Sequence, residues 1–112
     1  MSLNVDRLSK TISKELSILL SREARDANLA SVTITEVRVT NDLSYANVYY
    51  IVPEYLKEKI VPSLERAKGF LRSELAHRVK ARKMPELIFK YDEALDYGNH
   101  INEIISKLNN NN

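Results

Sequence analysis

Leu8, Ile12, Leu16 and Leu19 recur at intervals of four, four and three residues, a spacing that lines up one face of an α-helix. Val5 and Leu20 flank that stripe and Arg7, Lys10 and Lys14 fall opposite it, so residues 3–24 are expected to form an amphipathic helix. Ile18 falls near the polar face and is the misfit. The run "DANLAS" then breaks the pattern. Residues 32–40, "VTITEVRVT", are β-branched and alternate as a half-buried strand does. Their phase slips, with Val32 and Ile34 on even numbers and Val37 and Val39 on odd ones; a bulge near Glu36 would keep both pairs facing the core. "NDLS" is turn chemistry and "YANVYYIV" reads as a second strand, so the short link predicts an antiparallel hairpin.

A longer helical pattern follows from about Pro53, with Leu56, Ile60 and Leu64 on its inner face and Pro62 marking either a start or a kink. Beyond Gly69 a second stripe, Leu71, Leu75 and Val79, predicts a third helix ending at "KMPEL", where the residue before proline is pushed out of the α region. "ELIFKYD" reads as a third strand. Ile101, Ile104, Ile105 and Leu108 predict a short closing helix, and the terminal "NNNN" a disordered tail. The expected organisation is one α+β domain over residues 1–108 with a tail over 109–112. Its element order is α-β-β-α-α-β with a short C-terminal helix, giving a three-stranded sheet with helices packed on one face.

The chain has 112 residues, 44% of them hydrophobic, which suits a single folded domain. It contains no cysteine, so disulfides, thiolate metal sites and a cysteine nucleophile are excluded. No apolar run approaches the ~20 residues that span a bilayer, and "MSLNVDRLSK" lacks a signal-peptide layout; a cytoplasmic protein is expected. Net charge is only +2, but its distribution is uneven. Residues 66–83 carry seven basic side chains against one acidic one, Glu74, a local balance of +6 that leaves −4 for the remainder. Such a field directs a polyanion to one region, although a charge run is also compatible with a solvated helix face.

Little here points to an enzyme. His77 and His100 are isolated histidines, and Asp92, Glu93 and Asp96 mark a solvated strand exit better than an acid–base pair. With only Gly69 and Gly98, no glycine-rich phosphate loop can be built. No catalytic residue, metal site or cofactor is expected. The basic segment is different. On a helix starting near Phe70, Arg72, Lys80 and Lys83 would lie along one flank and Arg78 and Arg82 along the other, a pattern suited to phosphate. Gly69 costs roughly 1 kcal/mol inside a helix relative to alanine. Either it permits close packing, or it divides the helix and exposes backbone N–H groups beside Arg66, Lys68 and Arg72.

This αββααβ order with a helix–Gly–helix joint resembles the type II K-homology domain, whose GxxG loop clamps single-stranded RNA. That loop is absent here. The joint "RAKGFLR", with Ala67 and Gly69 as its pivot, looks like the A-x-G variant of the bacterial ribosome-binding factor A family. "VTITEVRVTNDLSYANVYYIV" and "AKGFLRSELAHRVKARKMPELIFKYDEALDYGNHI" are similar to that family's two halves, and the resemblance covers about residues 3–108. It implies a non-enzymatic assembly factor that binds the 30S subunit, assists late maturation of 16S rRNA including its 5′ end, and supports growth in the cold. It also implies release linked to a ribosome-associated GTPase in some bacteria. The expected RNA-binding residues are Lys68, Arg72, Arg78, Lys80, Arg82 and Lys83, with Arg7, Lys10, Lys14 and Arg66 as an extension if the first helix packs alongside. A monomer is expected. Two rivals remain open at the level of sequence. One is a general single-stranded RNA module that stacks bases on tyrosines such as Tyr45, Tyr49, Tyr50 and Tyr55, although tyrosines in and beside a hairpin more often pack. The other is a protein-interaction adaptor using Ile18 and the outer helix faces.

Overall fold

The computed structural model describes residues 2–23, 26–81 and 83–95. The expected closing helix, the Asn-rich tail, Arg82, Asp96, Gly98 and His100 lie outside them. Helix α1 spans Ser2–Ile18 and continues as a π-helical turn, Leu19–Glu23. The wider turn brings both Leu19 and Leu20 to the core side, where each is essentially inaccessible. Ile12 and Leu16 are fully buried and Leu8 half-buried, as their spacing predicts, while Arg7, Lys10 and Lys14 face solvent. A 3-10 turn, Ala27–Ser31, follows, capped by Asp26, whose carboxylate accepts from the Asn28 N–H at 2.9 Å.

Strands β1 (Thr33–Val39) and β2 (Tyr45–Ile51) form the predicted antiparallel hairpin. The register shifts between Ile34 and Glu36, which leaves Thr35 as the extra residue of a bulge. β3 (Glu86–Tyr91) pairs parallel to β2, so the sheet is mixed, in the order β1-β2-β3. A parallel neighbour requires a crossover, and α2 (Ile60–Arg78) provides it. The rows Val39–Ala46–Leu87, Val37–Val48–Phe89 and Ile34–Tyr50–Tyr91 form the inner face of the sheet. The intervening rows, Arg38–Asn47–Ile88 and Glu36–Tyr49–Lys90, form an outer face that no helix covers among the described residues. Both helices therefore pack on one face of a three-stranded sheet. Fully burying one aliphatic side chain such as Ile12 or Leu71 contributes about 1.5–3 kcal/mol.

Three expectations about the second half need correction. The helical pattern read from Pro53 is first a short 3-10 turn, Glu54–Leu56, and α2 starts at Ile60. Pro62 neither starts nor kinks it; it is the third helical residue, where the N–H has no intrahelical partner to lose. The expected second and third helices are one. α2 runs unbroken through Ala67 and Gly69, because Leu64 and Leu71 on either side are both buried in the same core and hold the helix across the weak position. Finally, α2 stops at Arg78 rather than near Pro85. Val79 turns extended and becomes buried, and the Val79–Pro85 segment returns the chain to β3, whose Glu86 N–H donates to the Ser44 carbonyl at 2.9 Å.

Candidate functional site

The basic residues singled out in the sequence separate into two groups once folded. Some are held by internal partners. The Arg72 guanidinium donates to the carbonyls of Met84 (2.9 Å) and Pro85 (3.3 Å), pinning the segment that leads into β3. Arg78 faces Glu15 of α1 at 3.7 Å and Glu74 of its own helix at 4.0 Å, so it ties the two helices together. Lys68 pairs with Glu65 at 2.8 Å, and Arg66 donates to the Ser63 hydroxyl at 3.3 Å. Exposed pairs of this kind contribute roughly 0–1 kcal/mol each, and their cations stay within reach of a polyanion.

Arg7, Lys10, Lys14, Lys80 and Lys83 are different: all are exposed, and none makes an ion pair or side-chain hydrogen bond among the described residues. Lys80 and Lys83 do not lie on helix flanks as expected, since α2 ends before them. They sit in the segment after it, which begins with an extended Val79 and has Lys83 at a bend. That segment runs beside the N-terminal half of α1, so Arg7, Arg78 and Lys80 line a single groove of about 700 Å³. Of the three α1 cations, Arg7 alone lines this groove. Lys10 lines a neighbouring groove of about 550 Å³, between α1 and the outer edge of β1. The two grooves differ in charge. The first has Arg7, Arg78 and Lys80 and no carboxylate; the second balances Lys10 and Arg38 with Asp6 and Glu36.

The hairpin loop completes the first groove with Asn41 and Leu43. Asp42 organises this loop by accepting from the Ser44 N–H at 3.0 Å and the Thr40 hydroxyl at 2.8 Å. These bonds, the Ser44 backbone first, hold the Asp42 carboxyl below the usual range, and the charge of Lys83 acts in the same direction. Leu43 adopts a left-handed backbone (φ 61°), which costs a leucine about 1–2 kcal/mol and persists because its side chain packs against the core. Turn chemistry was visible in "NDLS", but the contribution of Asn41 and Leu43 to a groove was not, because it depends on where α1 and the end of α2 meet the loop.

Gly69 carries neither of the roles weighed for it. The helix is continuous, so no free N–H groups are exposed there, and a Cβ built on Gly69 would meet nothing within 4 Å. Its neighbour Phe70 is 46% exposed. The tyrosines divide. Tyr50 is buried and packs edge-on against Phe89 and Tyr91 (ring centroids 6.4 and 5.5 Å), whereas Tyr45 and Tyr55 are exposed and Tyr49 sits half-buried beneath Arg38. Packing thus accounts for Tyr50 and not for the two exposed rings. Ile18, the misfit of the first helix, is half-buried.

Comparison with known proteins gives one consistent result. The family model described as "Ribosome-binding factor A" matches residues 4–105. Ribosome-binding factor A of Macrococcus caseolyticus is 45% identical over 111 residues, covering 97% of each chain. The Enterococcus faecalis protein of the same name is 43% identical over 106 residues, covering 92% of this chain and 91% of its own. Among solved structures, ribosome-binding factor A from Thermus thermophilus superposes with a TM-score of 0.69 at 28% identity, over 78% of this chain and 94% of that one. A model of the Thermus protein fitted into the cryo-EM map of its complex with the 30S subunit gives 0.65 at 30% identity, over 78% and 93%.

Proposed function

The chain belongs to the ribosome-binding factor A family, and from that premise we propose that it docks on the 30S subunit and assists late maturation of 16S rRNA, including its 5′ end. It acts without catalysis, by binding one immature rRNA conformation more tightly than the mature one and so shifting the balance between them. The observation that carries this reading beyond the family is the cluster of exposed cations on α1 and after α2: Arg7 and Lys80 on one groove, with Lys10, Lys14 and Lys83 also free to meet phosphate. Phosphate contacts position a protein on folded RNA without reading its sequence. That suits a domain without the GxxG clamp. Lys68, Arg66, Arg72 and Arg78 add to the field while anchoring the scaffold. Action as a monomer in the cytoplasm, support of growth in the cold and release aided by a ribosome-associated GTPase belong to the same proposal.

The test is co-sedimentation of the purified protein with salt-washed 30S and 50S subunits, combined with primer extension across the 16S 5′ end in cells lacking the gene. Binding to 30S alone, and precursor 5′ ends that disappear on complementation, are the expected results. Equal binding to both subunits, or mature 5′ ends throughout, would overturn the reading.

A further inference from the structure

The groove shared by α1, the hairpin loop and the segment after α2 has a composition that phosphate binding alone does not require. Beneath its cations lies an apolar floor. Val5 and Val79 are buried at its base, and Leu8, Leu43 and Ala81 are half-buried around them. Two exposed amides, Asn4 and Asn41, stand at its margin on opposite elements, one from α1 and one from the loop. Each asparagine side chain offers both a donor and an acceptor. Neither is engaged in a side-chain hydrogen bond among the described residues. A volume of about 700 Å³ falls in the ~300–1,000 Å³ range of sites that enclose a small organic group.

We infer that this groove takes an unpaired RNA nucleotide, with the base against the Val5–Leu8–Leu43–Val79–Ala81 floor, its edge facing the Asn4 and Asn41 amides, and the adjoining phosphates held by Arg7 and Lys80. The inference rests on the reading of the surrounding patch as an rRNA contact and adds what that contact selects. Base-paired RNA keeps its bases stacked and presents backbone, whereas a looped-out nucleotide presents a flat apolar surface and a hydrogen-bonding edge together. The groove supplies a counterpart to each of those features, and its lining includes no carboxylate that would repel phosphate. The neighbouring groove, with two carboxylates among its lining residues, lacks that complementarity. The strained left-handed backbone at Leu43 belongs to the same arrangement, since it turns an apolar side chain of the loop toward the core and the groove floor. Selection of an unpaired nucleotide would let the protein distinguish a strand not yet folded into its final helix from the same strand once paired.

The experiment uses the full chain and three RNA probes: a mixed-sequence single strand, a blunt, fully paired duplex of equal phosphate count, and salt-washed 30S subunits. Affinities for the first two are read by fluorescence anisotropy, with amide shifts recorded by NMR. The single strand is expected to bind about tenfold more tightly than the duplex, and to shift the amides of Asn4, Leu8, Asn41 and Ala81. Replacing both amides (Asn4→Ala with Asn41→Ala), which are exposed and leave the core intact, is expected to remove most of that preference while duplex binding stays unchanged. Arg7→Glu with Lys80→Glu is expected to weaken both probes. Equal affinity for strand and duplex, unchanged preference in the double-alanine variant, or shifts confined to the outer sheet face would each overturn the inference. If 30S binding persists in those cases, the proposed function stands without this groove. If 30S binding is itself absent, the functional reading falls first.

Discussion

Ser9 occupies the apolar stripe of α1 between Val5 and Ile12, and its hydroxyl joins two elements. It donates to the Val5 carbonyl at 2.9 Å and accepts from the Val39 N–H at 3.1 Å, on the outer edge of β1. Ser9→Ala would leave that N–H buried without a partner, a loss of about 1–3 kcal/mol. Urea denaturation measures it directly; a change below about 0.3 kcal/mol would show that the edge is satisfied some other way. A polar residue in the phase of a hydrophobic stripe was the visible sign of this contact. Its partner was not legible, because Val39 lies thirty positions away. Residue-scale electrostatics makes a second prediction. Asp26, Asp42 and Asp92 are each held below the usual carboxylate range by hydrogen bonds: chiefly from the Asn28 N–H, the Ser44 N–H and the Thr35 hydroxyl (2.6 Å), respectively. Groups depressed in the folded state stabilise it above their unfolded pKa, about 4, and lose that contribution as pH falls through the lower folded value. Thermal unfolding followed from pH 6 down to about pH 2 should therefore show Tm falling below about pH 4. The fall should be shallower in Asp42→Asn with Asp92→Asn. Parallel curves would remove these aspartates from the acid response.

At the scale of elements, α1, the bulged hairpin and β3 were all legible, because periods of 3.6 and 2 and a phase slip each have one simple structural reading. α2 was legible too, and was divided in error. Leu64 and Leu71 are seven residues apart, close to two helical turns, so the stripes before and after Gly69 share one phase. The local cost of glycine was given more weight than that continuity, and tertiary packing outweighed it. The consequence is testable. Gly69 has no positive φ and has open space where a Cβ would go. Gly69→Ala should stabilise the fold by about 0.5–1 kcal/mol. Calorimetry showing destabilisation instead would mean that the helix breaks or bends there. The end of α2 was less accessible from sequence. Leu75 and Val79 keep helical spacing, but Val79 is buried from an extended backbone, and only the position of β3 requires that turn.

For the molecule as a whole, the unequal charge distribution was evident in the chain, and the fold changes which residues express it. Half of the expected RNA-binding set, Lys68, Arg72 and Arg78, is engaged within the domain. Of the expected residues and their extension, Arg7, Lys10 and Lys14 on α1 and Lys80 and Lys83 after α2 make no ion pair among the described residues, and folding brings Arg7 and Lys80 onto one groove. Charge reversal at Arg72 or Arg78 would confuse loss of binding with loss of structure, so the discriminating variant is Arg7→Glu, Lys80→Glu and Lys83→Glu. The most direct measurement is the 30S affinity of wild type and this variant across a series of salt concentrations, with folding checked by circular dichroism. Each lost phosphate contact lowers the slope of log K against log salt by about 0.7–0.9, so the account predicts a slope shallower by about 2–3 and weak residual binding. An unchanged slope and affinity in a folded variant would contradict it and place the ribosome-facing surface elsewhere on the domain.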